Sequence, residues 1–296
     1  MAINSLDDVI VASANGHSHR TLWNKATGLA AYTAGRWYDT SFLYGSPTSE
    51  TFPGTTLNAT LFSATTNPGW MNIGNNVAPY EKCLVNFEAM CPVASPGVPD
   101  WLLLVDMLMY YPSINLNTNS QQNLVNNVTL PRYADGKGVM MYLNNIAGTT
   151  GGTAMNLHPT GFNYTNSYGV NGRVIPGTVA LTASAIVPQI LHSGVAANNF
   201  GPFIPLAGAD QGVKSVQSVQ FTAATGTAAT ATLVLCRPLA QIPITTAFVP
   251  QGRNLIFDMP CLQKIYDGAY LNFLLLAGGN TAASTPFYAE LVYKWG

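Results

Sequence analysis

The chain of 296 residues is long enough for one large domain or two small ones. Charged residues make up only 8% of it, against about 25% in an ordinary globular chain, and twelve Lys and Arg meet thirteen Asp and Glu for a formal net charge of −1. That balance excludes a basic nucleic-acid surface and a polybasic membrane patch, and a hydrophobic fraction of 48% excludes disorder.

Residues 6–14 are predicted as a short helix, with Ser5 as N-cap, Asp7 and Asp8 in the first turn, and Leu6, Val9 and Ile10 on one face. No basic n-region precedes this stretch, so no signal peptide is expected, and synthesis in a cytoplasm is. Beyond Asn15-Gly16 the chain reads as short strands, with Pro, Gly, Asn and Thr punctuating it about every ten residues. The apolar run Trp101 to Tyr111 is broken by Asp106 and is too short to cross a membrane. A hairpin is expected between residues 219–221 and 233–235, closed around Gly226, and Leu271 to Leu276 fits a strand buried on both faces. In the last strand Phe287, Ala289, Leu291, Tyr293 and Trp295 alternate with Tyr288, Glu290, Val292 and Lys294, the first set facing a core.

Two segments look duplicated. Leu130 to Gly136 resembles Leu262 to Gly268, and each ends on an Asp-Gly turn followed by a strand. Asp135 and Asp267 are 132 residues apart, as are Lys82 and Lys214, while Leu104 and Leu235, and Pro112 and Pro243, are 131 apart. The expectation is an all-β chain of two tandem β-sandwich, jelly-roll-like domains. Residues 1–53 form an N-terminal helix and arm, 54–166 the first sandwich, 167–177 a linker and 178–296 the second.

No constellation of catalytic, cofactor-binding or metal-ligating residues emerges. Gly16-His17-Ser-His19 lacks the third ligand a zinc site needs, and His158 and His192 stand alone. Ser193 follows His192 without a nucleophile elbow. Asp135 and Asp267 read as turn residues rather than an acid/base pair, and Asp210 and Asp258 have no assigned role. Trp70, Trp101, Tyr110 and Tyr111 fit a core better than a sugar platform. The sequons at Asn58, Asn127 and Asn163 carry little weight without a secretory signal. Cys83, Cys91, Cys236 and Cys261 show no metal spacing and read as small buried hydrophobes, and their low density weighs against a Cys83–Cys91 disulfide.

Several stretches together resemble virion structural proteins of tailed bacteriophages. They are Trp23-Asn-Lys-Ala-Thr-Gly28, Ala34-Gly-Arg-Trp-Tyr-Asp39, Gly45-Ser-Pro47, residues 192–202, residues 218–226, Ile265-Tyr-Asp-Gly-Ala269 and Lys294-Trp-Gly296. The resemblance covers most of the chain and carries no catalytic residue. It implies a non-enzymatic β-sandwich or jelly-roll protein in many copies on the virion, made in the host bacterial cytoplasm. The reading favoured is a capsid decoration or cement protein; the alternatives are a double jelly-roll shell protein or a glycan-binding tail protein. The expected partners are further copies of itself, as a trimer, and the major capsid or other virion proteins, with no nucleic acid, membrane, metal or cofactor. So few charges imply contacts made by aromatic and aliphatic anchors with hydrogen bonds at the rim, insensitive to salt.

Overall fold

The computed structural model describes residues 3, 5–28, 30–93, 99–193, 201–258 and 262–296. Cys261 and residues 194–200 of the phage-like stretch lie outside them. Helix α1 (Leu6–Ala14) forms where expected, and its first turn is held reciprocally: Asp8 N donates to Ser5 Oγ (3.1 Å) and Ser5 N to Asp8 Oδ2 (2.9 Å). Its buried face differs from the expectation. Val9 and Ala12 pack with Ile3 against Ile256 and Leu262, whereas Leu6 and Ile10 stay exposed. One narrow i, i+3 stripe is all that a helix resting on the edge of the sandwich can bury.

Most of the remaining described architecture is antiparallel β. The strands used below are β1 (Ser18–Ala26), β2 (Arg36–Asp39), β3 (Tyr44–Ser46), β4 (Lys82–Met90), β5 (Asp100–Asn115), β6 (Met140–Ala147), β7 (Asn163–Asn166), β8 (Val213–Val219), β9 (Thr230–Ile244), β10 (Gln251–Asn254), β11 (Tyr270–Ala277) and β12 (Pro286–Trp295). A one-turn helix, α2 (Leu255–Asp258), follows β10. The central sheet has the order β2-β11-β5-β9-β6. One of its faces is covered by two side sheets. The first runs β10-β4-β12-β1-β3, and the second is built on the β7–β8 pair. Leu102, Leu104, Leu271 and Phe273 meet Trp23, Phe87 and Leu291 under the first; Tyr111, Leu143, Leu233 and Leu235 meet Tyr164, Val216 and Val219 under the second. The opposite face is covered by Trp37, Phe52, Phe62 and Ile190, which pack on Val105, Tyr110, Tyr142 and Tyr270. β5, β9 and β11 are therefore buried on both faces, which explains their continuous apolar runs.

The duplication is present, and its register reveals how the copies are arranged. In the β5–β9 pair Asp106 opposes Arg237. On either side the pairs match across that point: Met107↔Cys236 with Val105↔Pro238, Met109↔Leu235 with Leu104↔Ala240, and Tyr111↔Leu233 with Leu102↔Ile242. Met141↔Leu235 in β6–β9 corresponds to Phe273↔Leu104 in β11–β5, and Tyr164↔Val216 in β7–β8 to Tyr293↔Leu84 in β12–β4. Even the bulge between Asn163 and Tyr164 recurs between Val292 and Tyr293. The repeats are thus β4-β5-β6-β7 and β8-β9-β11-β12, related by a pseudo-twofold axis through Asp106 and Arg237. The two Asp-Gly turns precede equivalent strands, β6 and β11.

Three expectations about the layout change. The sandwiches are not consecutive along the chain: β4 of the first repeat pairs with β12 of the second, and β7 pairs with β8. The stretch 167–177 therefore does not separate two hydrogen-bonded units. Residues 1–53 are not a free arm, since β1 lies between β12 and β3, and β2 closes one edge of the central sheet. Finally, residues 219–221 and 233–235 form no hairpin. Val219, Phe221, Leu233 and Leu235 share one core from facing sheets, so their apolar sides meet face to face across the sandwich. Alternation of this kind serves facing strands as well as neighbouring ones.

Candidate interaction face

The outward face of the first side sheet carries large apolar side chains in register. Tyr288 lies between Met90 and Asn24, Glu290 between Glu88 and Leu22, and Ala26 between Pro286 and Tyr44. Leu22 is 71% exposed, Tyr44 72% and Tyr288 40%. Phe248 and Val249 add exposed apolar surface just before β10. Leu22, Met90, Pro250 and Tyr288 line a groove of about 330 Å³. Of its acidic groups, Glu290 pairs with Arg20 at 3.3 Å and Glu88 accepts from the Asn86 amide at 2.9 Å. The related face on the second side sheet is different. There Gln217 Nε2 donates to Thr165 Oγ1 and Ser215 Oγ (2.9 Å each), and Thr165 Oγ1 donates to Asn171 Oδ1 (2.5 Å). One sheet's outward face is polar, with its side chains bonded to one another, while the other offers anchors of the kind found at interface centres.

The buried charges are structural and were not found from the sequence, apart from Asp106 as a break in an apolar run. Asp39 accepts from Ser41 N, Tyr142 OH, Asn144 Nδ2 and Asn272 Nδ2 at 2.8–3.1 Å; burial nevertheless raises its carboxyl above the usual range. Glu50 accepts from Tyr270 OH, Asn67 Nδ2 (3.0 Å) and the backbone of Thr51 and Phe52. Burial lowers Lys25 to about 8, although its ammonium donates to Leu43 O (2.9 Å) and Thr48 O (3.1 Å), tying that loop to β1. Asp106 is gripped by Arg132 through Nε (2.9 Å) and Nη2 (2.7 Å).

The residues weighed for chemistry are dispersed. The His17 ring is near those of Tyr80 and Trp295, stacked on the latter, and His19 stacks on Tyr293. His158 sits beside Thr160. His192 is fully buried with Nε2 2.8 Å from Pro202 O, and Ser193 Oγ donates to Ile190 O (2.7 Å) while accepting from Trp37 N (3.0 Å). Both are committed to backbone partners. Asp135 Oδ1 accepts from Lys137 N within its turn, and Asp267 pairs with Lys82 at 3.3 Å. Burial would raise Asp210, but Arg173, Tyr164 and Asn166 donate to it and hold it below the usual range. Asp258 ends α2. Tyr110 and Tyr111 are core residues, and Trp70 and Trp101 are half-buried. Of the sequon residues, Asn127 is exposed, while Asn58 and Asn163 are half-buried. Cys83, Cys91 and Cys236 are buried free thiols. Among the described residues no three His, Cys, Asp or Glu side chains converge, and no helix is long and apolar enough to cross a membrane.

No protein family matches the chain, and no curated protein does. Among solved structures it is similar to the T=1 particle derived from infectious bursal virus, at 10% identity and TM-score 0.19, over 94% of this chain and 77% of that one. It is also similar to the VP2 subviral particle of infectious bursal disease virus, at 9% identity and TM-score 0.19, over 94% and 79%. Likeness at this level defines neither fold nor function.

Proposed function

We propose that the chain is a non-enzymatic structural protein of a virus particle, a decoration or cement protein on a tailed-phage capsid, assembling as a homotrimer through the outward face of the first side sheet. The observation that carries this reading is the clustering of Leu22, Tyr44 and Tyr288 on one sheet face of a chain that is only 8% charged. An exposed apolar sheet face with Asn24, Asn86, Glu88 and the Arg20–Glu290 pair beside it has the composition of an interface centre with a polar rim. The sequence resemblance to phage virion proteins supports the same role, and mass on the particle separates it from a tail role: hundreds of copies belong to a shell, about a dozen to a tail.

The test is sedimentation of the purified chain and of Leu22→Asp and Tyr288→Asp. The wild type should stay oligomeric at about 1 M salt, where the Debye length is near 3 Å. Each variant should dissociate at least about tenfold more readily. A wild-type oligomer that falls apart in salt, or variants that assemble normally, would contradict the assignment of this face.

A further inference from the structure

At the end of the first side sheet, where β1 begins and β12 ends, lies a second and different groove, of about 490 Å³. That volume is within the range of small-molecule sites. One wall is aromatic. The His17 ring is 5.2 Å from Tyr80 and 5.8 Å from Trp295, nearly parallel to the indole at 17°. Tyr80 is 39% exposed and Trp295 half-exposed. The other wall is the loop 72–78, with Asn72, Asn75 and Asn76.

The loop is held from behind. Asn72 O accepts from His19 Nε2 (3.1 Å) and Thr21 Oγ1 (2.5 Å), Asn75 O from Lys82 Nζ (3.1 Å), and Val77 N donates to Asp267 Oδ2 (3.3 Å). Gly74 has φ +80°, and a Cβ there would stand 3.0 Å from the His19 ring, so this close approach needs glycine. The side-chain oxygens of Asn72 and Asn76 accept from Gly74 N (2.9 Å) and Ala78 N (2.7 Å). Their orientation is thereby fixed, and their NH2 groups, which bond nothing among the described residues, are left as donors. Among the described residues no Asp, Glu, Lys or Arg lines the groove, His19 being its one ionisable imidazole, and the nearby Lys82 side chain is 1% exposed and spent on Asn75 and Asp267.

We infer that this groove binds a neutral saccharide, one sugar ring lying on the Tyr80–Trp295 wall with its hydroxyls bonded by the asparagine amides. A pyranose has an apolar C–H face that packs on aromatic rings and hydroxyls that both donate and accept, which an amide matches. A phosphate or carboxylate ligand would find no Lys or Arg there among the described residues. Little ordering cost is left to the ligand because the loop is already fixed.

The experiment is binding of the full chain to an immobilised panel of neutral hexoses, N-acetylhexosamines, deoxyhexoses and their short oligomers, followed by titration of the best probe in solution. At least one neutral sugar should bind saturably. Trp295→Ala and Tyr80→Ala should each weaken it at least about tenfold, and Trp295→Phe, which keeps a ring, should retain most of it. Asn76→Leu, a loop-surface change, should also weaken it and serves if Trp295→Ala does not fold. The inference is overturned if no neutral sugar binds, if acidic sugars alone bind, or if binding is unchanged in the ring variants. Oligomeric state is measured on the same samples, so loss of sugar binding is distinguishable from loss of assembly.

Discussion

Arg132 closes the charge of a carboxylate that is 1% exposed and also donates to the backbone at Met107 (3.1 Å) and Gly268 (3.0 Å). Removing it leaves Asp106 buried without a counter-ion, so Arg132→Ala is expected to cost about 3–5 kcal/mol, read from denaturant unfolding. A loss below 1 kcal/mol would mean that water reaches the site. His192 supplies a pH dependence. Its Nε2 must carry the proton to bond Pro202 O, Nδ1 has no partner, and burial holds the ring down to about 4. A histidine depressed in the folded state contributes stability above its unfolded value of about 6.5, and that contribution is lost as pH falls from there toward 4. Relative to His192→Gln, the wild type should lose stability over this interval, by about 3 kcal/mol at full development. A difference that is flat between pH 7 and 4 would show that His192 titrates normally in the fold.

At the scale of elements, the two Asp-Gly turns make a controlled pair. Gly136 (φ +74°) and Gly268 (φ +75°) both occupy left-handed backbone. A Cβ at Gly268 meets open space, whereas one at Gly136 comes within 2.8 Å of Lys214 Cγ and 3.0 Å of Val213 O. Gly268→Ala should therefore cost about 1–2 kcal/mol from backbone strain alone, and Gly136→Ala clearly more, because β8 has to move. Equal losses in thermal unfolding would refute the packing difference. What was legible in the sequence follows the same line between local and distant causes. The cap at Ser5, the alternation of 287–293 and the double-sided burial of Leu271 to Leu276 are set by neighbours along the chain, and all three appear, whereas Trp295, expected to face the core, is half-exposed at the end of its strand. The pairing of β4 with β12 depends on contacts some two hundred residues apart, for which periodicity carries no signal. Likewise the polar-side positions of the last strand included Tyr288, an apolar residue out of place, but only the register with β1 shows that Leu22 lies on the same exposed face.

On the scale of the whole molecule, each side sheet needs both halves of the chain. Split after Gly169, neither polypeptide retains a complete sheet: the first lacks β9, β11 and β12, and the second lacks β4, β5 and β7. The two pieces should fail to fold alone and should co-purify when expressed together, with one cooperative transition. A half that unfolds cooperatively by itself would disprove this interdependence. The axis through the β5–β9 pair has one more consequence. Were the repeats two identical subunits, the position on the twofold would meet its own copy, Asp against Asp or Arg against Arg. Joined in one polypeptide, the two positions are free to differ, and they hold Asp106 and Arg237. The covalent link also removes dilution as a threat: an exchange of strands that separate subunits would keep only above their dissociation constant is kept here at any concentration.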